Sequence, residues 1–360
     1  MSAGVDTAVN APAAAPATPA VGGQSPGARA WGRFKRNRLG YASFWLMGLL
    51  LLACLLAELL SNDRPLVARH AGQWSFPAFH NPPETFYGGD FDTPTDWNDP
   101  LIVQRFQQPD AWALRAFNPH SATSTNVHNP VPHPAAPNAT HWLGTDEAGR
   151  DMVARLLYGF RVSLGFGLAL TLVGTLIGVL MGALQGYFGG RVDLGLQRLI
   201  EVWASVPELY LLIIFASIFE PSLLLLLVLL SLFGWIGLSD YVRAEFLRNR
   251  SLDFVRAARA LGLGHRQIIW RHLLPNSLTP VITFLPFRMS DAILALVALD
   301  FLGLGVPPGT ASLGDLVRQG KNNLDAWWII APTFATLTLT LLLLTFIGEA
   351  LRDAFDTRKS

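Results

Sequence analysis

Six apolar runs, each close to the ~20 residues that cross a hydrocarbon core of about 30 Å at about 1.5 Å per residue, constrain this chain more than any other feature. They occupy residues 41–60, 162–184, 199–219, 222–239, 277–299 and 328–348. A soluble domain would have to bury all of them at once. The composition argues against that, since 51% of the 360 residues are hydrophobic and only 15% are charged. The expected fold is an all-α membrane protein with six transmembrane helices. The formal net charge of +1 shows no bias toward nucleic acid or an acidic partner, so the placement of the charges matters more than their sum.

Residues 1–30 are rich in Ala, Pro, Gly and Thr without apolar periodicity, which predicts a disordered tail. Residues 31–60 join a basic cluster, Arg33, Lys35, Arg36 and Arg38, to the first span. That span is too long for a signal peptide and runs into Ser61-Asn62-Asp63-Arg64-Pro65 without a small-residue cleavage site, so an uncleaved helix is expected. The loop 241–276 carries Arg243, Arg248, Arg250, Arg256, Arg259, Arg266 and Arg271. The excess of Lys and Arg in cytoplasmic loops therefore places this loop, both termini and the tail 349–360 inside, and the segment 61–160 outside. The core 161–348 holds the remaining five spans.

The external segment is Pro-, Asn- and aromatic-rich, with Asp90, Asp92, Asp96 and Asp99, and reads as irregular structure. Six of the eight histidines fall there: His70, His80, His120, His128, His133 and His141. None has a tight ligand spacing, and the single cysteine, Cys54, lies inside an apolar run, so solvated loop histidines and no metal site are expected.

No phosphate-binding loop exists, because the only Gly-Lys pair, Gly320-Lys321, is followed by Asn322. No nucleophile and base set or carboxylate pair falls in a soluble catalytic segment. The chain is therefore expected to be neither an enzyme nor a cofactor binder, and any energy coupling must come from a partner or a gradient. In the loop, Asp253 is placed to cap a short helix, Ala257 and Ala258 leave little bulk, and Gly262 and Gly264 can end it with positive φ. An amphipathic segment, 267–274, then leads through Pro275 back to the membrane. Such a hairpin can dock a partner surface, and it can equally lie on anionic lipid.

Arg256-Ala257-Ala258-Arg259-Ala260-Leu261-Gly262, followed by nine residues and His272-Leu273-Leu274-Pro275-Asn276, resembles the EAA motif of ABC importer permeases of the oligopeptide and dipeptide class. Arg256 replaces the glutamate of that motif and His272 its usual isoleucine. Further similarity lies in Leu143-Gly144-Thr145-Asp146 with Gly149-Arg150-Asp151 and Arg155, in the stretch from Leu299 to Val306, and in the stretch from Gly348 to Asp353. Phe86-Tyr87-Gly88-Gly89-Asp90-Phe91 is similar to the microcin C type within the class.

The resemblance implies a type I permease fold with a long external loop between the first two helices. It also implies a bacterial inner-membrane location and a coupling helix seated in an ATPase groove, with Asp253, Arg256, Ala257, Ala258, Arg259, Gly262 and Pro275 as the docking set. The implied partners are a second homologous permease subunit, two ATP-binding cassette domains that bind the ATP, a periplasmic solute-binding protein and a peptide-like substrate.

Charged residues inside spans are costly and tend to face a bundle interior or an aqueous path. Arg288 and Asp291 are three apart in the fifth span, close enough to pair on one face, and Glu208 follows Pro207 midway along the third. These residues line a path for a charged solute or stabilise a subunit contact. Glycines 165, 167, 174, 178, 182 and 186 form a stripe suited to helix packing. A secondary transporter, which calls for internal repeats not seen here, and a membrane receptor are the competing classes.

Overall fold

The computed structural model describes residues 26–125 and 131–356. Residues 1–25 of the tail expected at 1–30, and the loop histidine His128, lie outside that range. In chain order, α1 (Pro26–Arg36), α2 (Arg38–Leu55) and the short turn α3 (Ala57–Leu60) lead into the segment expected outside. This segment holds β1 (Val67–His70), β2 (Gln73–Ser75), a 3-10 turn at Glu84–Tyr87, α4 (Pro100–Arg105) and β3 (Trp112–Leu114). The helices α5 (Met152–Phe188), α6 (Gly190–Ala204), α7 (Glu208–Ile218), α8 (Leu223–Ser231) and α9 (Ile236–Asn249) follow. Next come α10 (Asp253–Ala260), α11 (His265–Gln267), a π-helical turn at Ile268–Leu273 and α12 (Leu274–Ser277). The chain ends with α13 (Thr279–Phe301), α14 (Leu313–Asn322) and α15 (Trp327–Phe355).

Among the described residues, five helical stretches are long and apolar enough to cross a membrane: Arg38–Leu55, Met152–Phe188, Leu223–Asn249, Thr279–Phe301 and Trp327–Phe355. The expected span at 199–219 is not a straight crossing. It is the pair α6 and α7, bent by 60°. Pro207 sits at the bend in extended conformation, and its missing N–H interrupts the helical ladder before Glu208 starts α7. The expected span at 222–239 also differs, since α9 continues to Asn249 and turns the first part of the predicted loop into helix.

Helix α5 is the centre of the bundle, and the glycine stripe lets its partners approach. A Cβ at Gly178 would lie 2.9 Å from the Trp235 carbonyl oxygen, one at Gly182 2.5 Å from that of Ser239, and one at Gly186 2.4 Å from the Phe246 Cβ. These are close approaches to α9 and the turn before it. Gly167 serves α13 in the same way through Ile293, whereas a Cβ at Gly165 meets nothing.

Helix α15 starts beside α14, with Ile330 against Gly320, and Phe287 of α13 packs on Gly348 near the other end of α15. The start of α13 and the end of α15 therefore share one end of the bundle. Helix α1 joins them there: Phe34 is buried with Ala350 and Ala354, and Arg33 donates to the Asp356 carbonyl at 2.9 Å. Residues 26–30, expected in the tail, are helical.

The segment 61–160 is more ordered than its composition announced. Its strands form an antiparallel sheet in the order β2-β1-β3, with Arg69 facing Trp74 on one side and Trp112 on the other. Ala68, Tyr87, Trp97 and Ile102 bury one another beneath it. Aromatic side chains supply enough apolar area to order a segment with no long apolar run.

The segment is tied to the bundle by Arg155, on the first turns of α5. Fully buried, it donates to Gly309 O at 2.9 Å and Thr310 O at 3.1 Å, and pairs with Asp315 at 3.0 Å and Asp146 at 3.5 Å. Asp146 also accepts from Arg150 Nε at 2.8 Å. Asp300 accepts from the Val306 amide at 2.6 Å and from Ser312 Oγ. The stretches 143–155 and 299–306, distant in sequence, thus meet around α14.

Candidate functional site

The basic hairpin 250–277 is built on the end of α5. Val255 and Ala258, one turn apart on α10, are buried together with Phe246, Ile268 and Leu273 in a cluster that includes Ala183 and Tyr187. Asn249 Nδ2 donates to Ser277 Oγ at 3.0 Å and closes the base of the hairpin. Helix α10 ends in a Schellman turn: Leu263 N–H bonds to Ala258 O at 3.2 Å and Gly262 N–H to Arg259 O at 2.9 Å. Gly262 has φ of 77°, where a side chain would be strained.

The opposite face of α10 is open. Arg256, Ala257 and Arg259 are exposed, with Phe254 at 40% and Leu261 at 81%. Exposed aliphatic and aromatic side chains between arginines are suited to contact a protein surface.

Three expectations for this hairpin change. Ala258 is 4% exposed and packs inward, so it holds α10 in place and does not face a partner. Asp253 is the first helical residue and does not cap; Leu252 occupies the cap position with no side-chain bond, while Asp253 lies 3.8 Å from Arg256 in an exposed pair of little energetic weight. Gly264 has φ of −67° and precedes α11, so only Gly262 makes the left-handed turn. Pro275 is exposed within α12, directly after the π-helical turn. Its ring cannot sit against a normal preceding helical turn, and a widened turn accommodates it.

The sequence reading did not single out the exposed Leu261 and Phe254, although an apolar residue at each end of an arginine-rich helix was a visible signal. It also missed a cationic recess beside α10, a cavity of about 530 Å³ lined by Tyr187, Arg250, Arg256, Arg259 and His265. Tyr187 organises the recess. Its hydroxyl is 2.7 Å from His265 Nδ1, its ring lies under Arg259 at 5.6 Å, and its carbonyl accepts from Arg250 at 3.3 Å.

In the membrane-spanning part, Arg288 and Asp291 do not pair. Arg288 donates from Nη2 to the Gly234 carbonyl at 2.7 Å, while Asp291 is exposed. The break between α8 and α9 frees carbonyls that a continuous helix would use, and the Leu232 carbonyl takes bonds from Trp203 Nε1 at 3.0 Å and Trp235 Nε1 at 2.8 Å. Gly174 makes room for the guanidinium, since a Cβ there would lie 2.8 Å from Arg288 Nη2. Arg288 therefore ties the break between α8 and α9 to α13, with Gly174 of α5 leaving space beside it. Glu208 is partly buried on the first turn of α7.

Residues 174–360 match the family described as binding-protein-dependent transport system inner membrane component. The chain belongs to this family. Residues 25–83 also match the N-terminal transmembrane domain of oligopeptide transport permease C. The inner membrane ABC transporter permease protein YejE of Escherichia coli (strain K12) is 48% identical over 330 residues, covering 92% of this chain and 96% of that protein. The peptidoglycan transport system permease protein YejE of Agrobacterium fabrum is 45% identical, over 92% of this chain and 93% of that one. The oligopeptide transport system permease protein OppC of Haemophilus influenzae is 36% identical over 61% of this chain and 70% of its own length. As an inner membrane component of such a system, the protein is an integral, multi-pass subunit that works with other proteins.

Proposed function

We propose that the protein is the permease subunit of an ATP-binding cassette importer that moves peptides or peptide-like solutes, of the oligopeptide, dipeptide or microcin C type, across the inner membrane. The relatives and the family support the transport role. The observation that carries the mechanism is the exposed Phe254, Arg256, Ala257, Arg259 and Leu261 surface of α10, mounted on a buried cluster shared with α5 and α9. Motion of an ATPase bound there is delivered to the centre of the bundle, switching the cavity between inward-facing and outward-facing states. Two cytoplasmic ATP-binding cassette domains bind and hydrolyse the ATP, and this subunit has no catalytic role and no cofactor of its own. Both termini and α10 are cytoplasmic.

The bent pair α6–α7 packs loosely, with only Asp193, Ile200 and Leu212 buried along it, and leaves Leu209, Ile213 and Ile218 exposed. This is the face offered to the second homologous permease subunit and to lipid. A solute-binding protein docks on the external side, and Glu208 lies on the solute path. Gly262→Pro tests the coupling assignment: the variant should reach the membrane yet lose co-purification with the ATPase. Retained ATPase binding with normal peptide uptake would refute it. Uptake competition with peptides of graded length in a deletion strain reads the solute class.

A further inference from the structure

His120, His141 and Asp151 are separated in the sequence and have no ligand spacing, yet one ligand atom of each lies within 4.8 Å of the others. We propose that these three side chains bind a divalent transition-metal ion, Zn²⁺ foremost, which clamps the external segment to the start of α5. His141 Nδ1 is 3.0 Å from Asp151 Oδ2, both residues are buried, and the ring of His120 lies 4.4 Å from that of His141, centre to centre. Two imidazoles and one carboxylate, with no thiolate, form a borderline donor set that suits zinc.

The surroundings already orient these groups. Asp151 Oδ1 accepts from Asn118 Nδ2 at 2.8 Å and from the Ala154 amide at 2.9 Å. His120 Nε2 lies 3.2 Å from the Thr140 carbonyl, and the His120 carbonyl accepts from Ser61 Oγ at 2.8 Å. Ligating histidines are commonly held in this way, with one ring nitrogen on a carbonyl or carboxylate. Zinc–nitrogen bonds of about 2.0–2.1 Å place tetrahedral ligand atoms ~3.4 Å apart, so binding needs a contraction of about 1.4 Å at most. The partly exposed His120 ring is the one able to supply it.

A cavity of about 650 Å³ opens onto His120 and His141 and carries Asp63, Asp96 and Asp99 on its walls. These carboxylates, with Arg64 the one arginine in the lining, draw in cations, and water can complete the coordination. A purely hydrogen-bonded His141–Asp151 pair would assign no part to His120, and this separates the two readings.

The full chain, purified with its partner subunits through a tag without histidine, is stripped with EDTA, re-equilibrated with Zn²⁺ and desalted before elemental analysis. Stoichiometric zinc, and a tetrahedral visible spectrum when Co²⁺ replaces it, are expected. His120→Ala should weaken zinc binding about tenfold or more, and His80→Ala, at an exposed position elsewhere in the segment, should not. Absence of stoichiometric zinc in the unmodified protein overturns the proposal, whatever the variants do. Equal zinc affinity in a folded His120→Ala overturns it as well.

Discussion

Arg155 is the largest fully buried side chain, and it joins three segments through the Gly309 and Thr310 carbonyls and the carboxylates of Asp146 and Asp315. Arg155→Leu would leave those carboxylates short of a partner and is expected to cost about 3–5 kcal/mol, read as a fall in the unfolding temperature of the detergent-solubilised protein. Burial alone would raise the pKa of Asp315, but hydrogen bonds from Arg318 and Gln319 and the charges of Arg155 and Arg318 hold it below the usual carboxylate range. A carboxyl held low contributes stability that is fully present above its unfolded pKa and lost as pH falls through the folded one. Unfolding temperature should therefore decline as pH falls from the ordinary carboxylate range toward the lower folded value, and Asp315→Asn should flatten that decline. Gly182 is the matching case for sterics. A Cβ there would meet the Ser239 carbonyl at 2.5 Å and Val242 Cβ at 2.7 Å, so Gly182→Leu is expected to destabilise by about 1–3 kcal/mol or more and to reduce the yield of folded protein.

Among the elements, α10 was legible as a short, bent, arginine-rich helix, because Gly262 and the flanking charges are local signals. Which side faces a partner was not. Ala257 and Ala258 are neighbours with the same side chain, and only the packing of α5 and α9 decides that Ala258 turns inward. Leu261→Asp puts a charge on the most exposed apolar side chain of this face. It should abolish ATPase co-purification while leaving the unfolding temperature unchanged, whereas Ala258→Leu should lower the unfolding temperature, because it overfills a buried site. The bend at Pro207 was foreseeable from the proline, but its 60° angle follows from how α6 and α7 leave the bundle. Arg288 and Asp291 show the reverse situation. Their spacing allowed a pair, and the freed Gly234 carbonyl took the arginine instead, because a carbonyl without a helical partner in a span is costly.

At the scale of the whole molecule, the antiparallel order of α13 and α15 and the packing of α1 on α15 place the described ends of the chain on the side of the 250–277 hairpin. Labelling should report this arrangement. In a Cys54→Ala background, Asn98→Cys should react with a membrane-impermeant maleimide added outside intact cells or spheroplasts, and Ala257→Cys only after lysis. The opposite pattern would invert the topology. The apolar runs by themselves determined that this is a polytopic helical protein, because run length against bilayer thickness is a one-dimensional quantity. Charge asymmetry likewise pointed to the orientation, and the motif at 256–276 to the docking hairpin. The tertiary structure decided what depends on contacts between distant residues: the buried polar clamp around Arg155, the ordered three-stranded sheet, the inward turn of Ala258, and the meeting of His120 with His141 and Asp151. Those arrangements depend on three-dimensional packing, which spacing along the chain does not encode.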